Sequence, residues 1–110
     1  MSDNKTARIR ELNDAFRKSG QGGRTMHTRG VNDRGPDFVL KAWRQVRDFD
    51  AFTSDNDPYR EHDFGAIDVD GQKLFWKIDY YNPTMDAGSE DPSDPAQTTR
   101  VMTVMLAEEY

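Results

Sequence analysis

Residues 61–81 read EHDFGAIDVDGQKLFWKIDYY, two alternating runs joined at Asp70-Gly71. Aspartate followed by glycine between such runs marks a tight hairpin, because both residues tolerate the positive φ that a two-residue turn requires. If the hairpin closes at Val69 and Gln72, Ile67 faces Leu74 and Gly65 faces Trp76. The missing side chain at Gly65 then makes room for the indole. Leu74, Trp76, Ile78 and Tyr80 form the core face of the second strand. On the opposite face Asp68 meets Lys73, Ala66 meets Phe75, and Phe64 meets Lys77. The same register sets His62 opposite Asp79, with Lys77 and Tyr81 on one face with them. A bulge anywhere in the hairpin would break that last pairing.

Working outward, the spacing of Ile9, Leu12, Ala15 and Phe16 predicts an amphipathic helix over 5–19, stopped at Ser19-Gly20. GQGG at 20–23 follows that helix instead of opening one, so it reads as a hinge and not as a phosphate cradle. Residues 24–31 are read as a strand and 32–35 as a turn. Pro36 suits a first helical turn, with Asp37 near the positive helix end. Phe38, Val39, Ala42, Trp43 and Val46 extend that helix to about Arg47. A long connection, 48–60, is anchored by Phe49 and Phe52. Residues 82–98 contain three prolines and four acids and read as a long acidic surface loop. Residues 99–107 read as a final strand, although their Met-Leu-Ala end also suits a helix. The order α-β-α-β-β-β predicts an α+β fold: a small, mainly antiparallel sheet of about four strands with two helices on one face.

The chain has 110 residues, which fits a single domain spanning 1–110. Twelve aromatic residues argue against disorder. There is no cysteine, hence no disulfide framework or thiolate chemistry. The N-terminal residues lack the apolar core of a secretory signal, and no apolar run is long enough to span a membrane. A cytoplasmic location follows as the default. Net charge is −5, unevenly spread: residues 1–47 hold 11 Lys/Arg against 5 Asp/Glu, and 48–110 hold 4 against 15. Such a split describes either two surfaces of opposite sign or two halves that attract within one fold.

Candidate chemistry is sparse. The His62–Asp79 pair, with Lys77 near, has the form of a general base beside its orienting carboxylate, but neither substrate nor nucleophile is identified. A cross-strand ion pair is the plainer account. His27 and His62 lie on separate elements, so no metal is expected. Asp55-Asn56-Asp57 starts like a calcium loop, yet Tyr59, Arg60 and Ala66 occupy positions that such a loop fills differently. No cofactor is expected. Arg8, Arg10, Arg17, Lys18, Arg24, Arg29 and Arg34 would have to cluster to bind nucleic acid, and an acidic chain without a recognition motif argues against that role. Conversely, Asp48, Asp50, Asp55, Asp57, Glu61, Asp63, Asp86, Glu90, Asp91 and Asp94 could present an acidic surface to a basic groove.

DPYREHDFG, DGQKLFWKIDYY and VMTVMLAEEY, with the N-terminal IRELNDAFRKSG, resemble a family of small bacterial proteins, domain of unknown function 3768 (DUF3768), from about Ile9 to Tyr110. HDFG and FWKIDYY are the specific strings. The resemblance implies a soluble accessory protein, mostly alphaproteobacterial and often on mobile elements, and carries over no activity, cofactor or catalytic residue. The expectation is therefore a non-enzymatic protein-binding module, in its sharpest form an acidic inhibitor of a host DNA-processing or defence protein. Asp55, Asp57 and Glu61 would steer it, and Tyr59, Phe75 and Tyr81 would anchor it. Self-association is compatible with this. The alternatives are a small enzyme built on His62 and Asp79, and a nucleic-acid binder using the N-terminal arginines.

Overall fold

A computed structural model describes residues 2–110. The chain forms α1 (Ser2–Ser19), β1 (Gly23–His27), α2 (Arg29–Asn32), α3 (Pro36–Asp48), β2 (Phe64–Val69), β3 (Gln72–Tyr81) and β4 (Thr99–Leu106), with 3₁₀ turns at Pro95–Gln97 and Ala107–Glu109. The four strands make one mixed sheet in the order β1-β4-β3-β2. β2, β3 and β4 pair antiparallel, and β1 joins β4 in parallel. The fold is α+β, as the element order predicts.

The hairpin has the expected register, with Gly65 opposite Trp76 and Ile67 opposite Leu74. Asp70 (φ 54°) and Gly71 (φ 83°) take the two positive dihedrals of the turn, and Asp68 Oδ1 accepts from the Gly71 amide at 3.0 Å. α3 starts at Pro36, where the missing N–H leaves no donor orphaned, and buries Phe38, Ala42 and Val46. These residues, with Phe16 of α1, pack on Ile67, Val69, Leu74, Trp76, Ile78, Met102, Val104 and Leu106. Phe49 and Phe52 close the core from the connection that follows α3. Residues 99–107 resolve in favour of a strand as far as Leu106.

The strand expected over 24–31 is shorter than predicted. It ends at His27, because the Thr28 side chain accepts from the Val31 amide and starts the single turn of α2, which buries Val31 completely. Thr28 is held in turn by Glu109, whose Oε1 accepts from the threonine hydroxyl at 2.6 Å. The acidic loop after β3 is folded on itself. Asp86, Asp91 and Asp94 accept from nearby donors (Asn82 and Thr84, Ser93, and Ala96 and Gln97 respectively). These bonds hold all three carboxyls below the ordinary aspartate range.

Among the described residues, the helices cover one face of the sheet only. Alternation along the strands places Arg24 and Met26 of β1, Val101, Thr103 and Met105 of β4, Lys73, Phe75, Lys77, Asp79 and Tyr81 of β3, and Phe64, Ala66 and Asp68 of β2 on the other.

Candidate functional site

Two regions gather polar or aromatic side chains: a polar seam between α1 and the connection 49–63, and the uncovered face of the sheet.

The seam begins on α1. Asn13 and Arg17 lie one turn apart on the buried side of the helix, below Ile9 and beside Phe16. Arg17 Nη1 donates to the carbonyls of Val46 (2.8 Å) and Arg47 (3.0 Å) at the C-terminal end of α3. Its guanidinium lies 5.6 Å from the Phe52 ring centroid and 5.4 Å from that of Trp76. Asn13 Nδ2 donates to the Glu61 carbonyl (2.9 Å) and the Tyr80 hydroxyl (2.8 Å), and its Oδ1 accepts from Arg100 Nε at 2.7 Å. Tyr80 donates to Glu61 Oε1 at 2.7 Å. Burial, and then the bond to Glu61, push the Tyr80 phenol well above its ordinary range. Burial lowers Arg100. Burial, and then the neighbouring Glu61, raise the Asp63 carboxyl from 3.8 to about 6.

His62 sits in this seam, not opposite Asp79. Arg60 (φ 59°) and His62 (φ 56°) both adopt the left-handed conformation, so the ladder that would pair His62 with Asp79 starts only at Phe64. The imidazole therefore turns to the helix-covered side. It stacks on Phe52 with centroids 3.7 Å apart. Nδ1 lies 2.8 Å from Asp14 Oδ1, so that nitrogen carries the proton the carboxylate accepts. Nε2 faces Asp57 Oδ2 at 3.6 Å. Shallow clefts of about 370 and 540 Å³ meet at His62 and Phe52. The hydrogen-bond partner of the ring among the described residues is a carboxylate, not a nucleophile, and the arrangement braces α1 against the connection. Asp79 pairs instead with Lys77 at 2.9 Å, which lifts the lysine above its ordinary value, chiefly through that hydrogen bond.

The residues expected at a partner surface divide. Asp57 is 6% exposed and is engaged with His62, and Glu61 is taken by Tyr80. Asp55 and Tyr59 are exposed. Phe75 and Tyr81 lie on the uncovered face of the sheet, both half-buried. There Phe75 packs with Phe64 at 5.2 Å and with the exposed Tyr110 at 5.3 Å.

The N-terminal cations do not form one patch. Arg8 pairs with Glu11, Arg29 with Asp33 and Arg34 with Glu108, while Arg17 is buried. Lys5–Asp91, Arg34–Glu108 and Lys41–Asp70 join the basic half of the chain to the acidic half. Among the described residues no cluster of metal-binding side chains occurs and no helix is long and apolar enough to cross a membrane. Asn13 and Asp14 escape the sequence reading, and Arg17 enters it only as a surface cation. Their signal is the narrowness of the apolar stripe on α1, which leaves the buried positions one turn after Ile9 and Asn13 to polar side chains.

The architecture is a four-stranded mixed sheet with helices on one face, braced by a polar seam and aromatic on its other face. The chain belongs to the family described as protein of unknown function (DUF3768), whose family model matches residues 27–109. The match begins after α1, so it is shorter than the resemblance from Ile9 onward. No curated protein and no solved structure matches the chain.

Proposed function

We propose that this protein acts by binding protein through the uncovered face of its sheet. The observation that carries this reading is the Phe64–Phe75–Tyr110 cluster beside Met105, on a face that no helix among the described residues covers. Aromatic side chains held half-exposed on a rigid sheet offer large contact area at small entropic cost, the property of binding hot spots. Asp48 at the end of α3, and Asp50 and Asp55 in the connection that follows, are exposed and add long-range attraction for a basic partner. A host DNA-processing or defence protein is the sharpest form of such a partner. Asp57 and Glu61 hold the seam together, so neutralising them would test stability before it tested binding.

The test is affinity capture on the immobilised chain. Nuclease-treated lysate is supplemented with untagged copies of the chain, and retained proteins are compared between wild type and Phe75→Lys. Loss of a stoichiometric protein in the folded variant supports the reading. Equal retention by both refutes it.

A further inference from the structure

We infer that the uncovered sheet face is the interface of a homodimer, with two copies stacked sheet on sheet about a two-fold axis. This inference rests on the protein-binding reading of that face and names the partner as a second copy of the chain. Charge is the first argument. The face carries Arg24, Lys73 and Lys77 against Asp68 and Asp79, a near balance in a chain of net charge −5. The remaining residues hold 12 Lys/Arg against 18 Asp/Glu, so two copies meet with least net repulsion across this face.

Self-complementarity is the second argument. Lys77 and Asp79 are paired on the central strand β3 at 2.9 Å. A two-fold axis near them sets the cation of each copy against the anion of the other, as an isologous interface requires. Area is the third. Four strands and their side chains span about 20 Å, and the face runs about 25 Å along β3 from Lys73 to Tyr81. Covering it on both copies removes on the order of 1,000 Å², the lower bound of a specific interface. Stacked sheets sit about 10 Å apart, a gap that Phe64, Phe75 and Tyr110 fill.

The experiment is sedimentation velocity over roughly 1–300 µM, on wild type, Phe75→Lys and Thr103→Arg. Circular dichroism melts show that each variant is folded. The capture experiment is run in parallel with Thr103→Arg. The wild type is expected to pass from one-copy to two-copy mass in the micromolar range. Either charged substitution should move the midpoint at least about tenfold to higher concentration. A wild type that stays monomeric throughout overturns the inference, and so does a dimer that neither variant weakens. A monomer whose capture of a foreign protein is lost in Thr103→Arg overturns the second copy as partner but leaves the protein-binding reading standing. A monomer that captures nothing overturns both.

Discussion

Gly65→Ala is expected to destabilise this protein although it adds a single methyl group. A Cβ at Gly65 would overlap Nε1 of Trp76 and lie 2.8 Å from its Cε2 and 2.9 Å from Phe49 Cζ. Neither ring can retreat easily. Trp76 is fully buried, and Phe49 packs on it edge-on with centroids 5.5 Å apart. Inserting a methyl group into a filled core costs about 1–3 kcal/mol. Restricting the unfolded chain by replacing glycine returns about 0.4–1 kcal/mol. The net loss is about 1–2 kcal/mol, or roughly 4–10 °C in Tm for a chain of this size. Urea unfolding followed by tryptophan fluorescence and by far-UV circular dichroism measures it. The decisive comparison is the Trp76→Phe background, which removes the atoms that the methyl group meets. There the cost of Gly65→Ala should fall by about 1 kcal/mol, the coupling energy of two touching side chains. A loss below about 0.5 kcal/mol in the wild type, or the same loss in both backgrounds, would refute the packing argument.

Further expectations concern the polar seam. Asn13→Ala removes a side chain that satisfies Arg100, Tyr80 and the Glu61 carbonyl together, and should cost about 2–4 kcal/mol in chemical denaturation. A cost under about 1 kcal/mol would mean that water replaces it. His62→Ala removes the bond to Asp14 and the stack on Phe52, and should lower stability by about 1–2 kcal/mol; an unchanged Tm would show that the histidine is not a brace. Asp63→Asn tests the raised carboxyl. The native state keeps the Asp63 proton up to about pH 6, while the unfolded chain releases it near 3.8. Ionisation of Asp63 therefore costs stability progressively as pH rises through that window. The full shift corresponds to about 3 kcal/mol; because the carboxyl is part exposed and solvent screens it, the variant should gain on wild type by about 1–2 kcal/mol at pH 7.5, and by almost nothing at pH 3.5. A gain independent of pH would remove desolvation as its cause.

The hairpin was legible because Asp70-Gly71 fixes both the turn and the register, and Gly65 opposite Trp76 followed from the same count. Legibility ended at His62 for a definite reason. Arg60 and His62 take positive φ without being glycine, and nothing in their side chains announces it. That conformation is imposed by bonds to distant partners, Arg10 to the Arg60 carbonyl and Asp14 to the imidazole. Thr28 misled in another way. As a β-branched residue it reads as strand, whereas here its hydroxyl group caps a helix and meets Glu109, far along the chain. Apolar periodicity identified α1 and α3, but it is silent about polar residues that are buried because their partners come from elsewhere in the sequence.

The position of β4 bears on how the molecule is assembled. β4 lies between β1 and β3, yet it is the last of the four strands to appear in the chain. Until it arrives, the β2–β3 hairpin and β1 share no backbone hydrogen bonds within the sheet, and each presents an open edge. β4 joins residues 23–27 to 100–104 in parallel and 74–81 to 99–106 antiparallel. Pairings of such sequence separation close slowly. The edges of β1 and β3 that β4 joins can equally accept a β4 from another molecule, because the register is the same. Domain exchange at those edges is the characteristic misassembly that this topology invites.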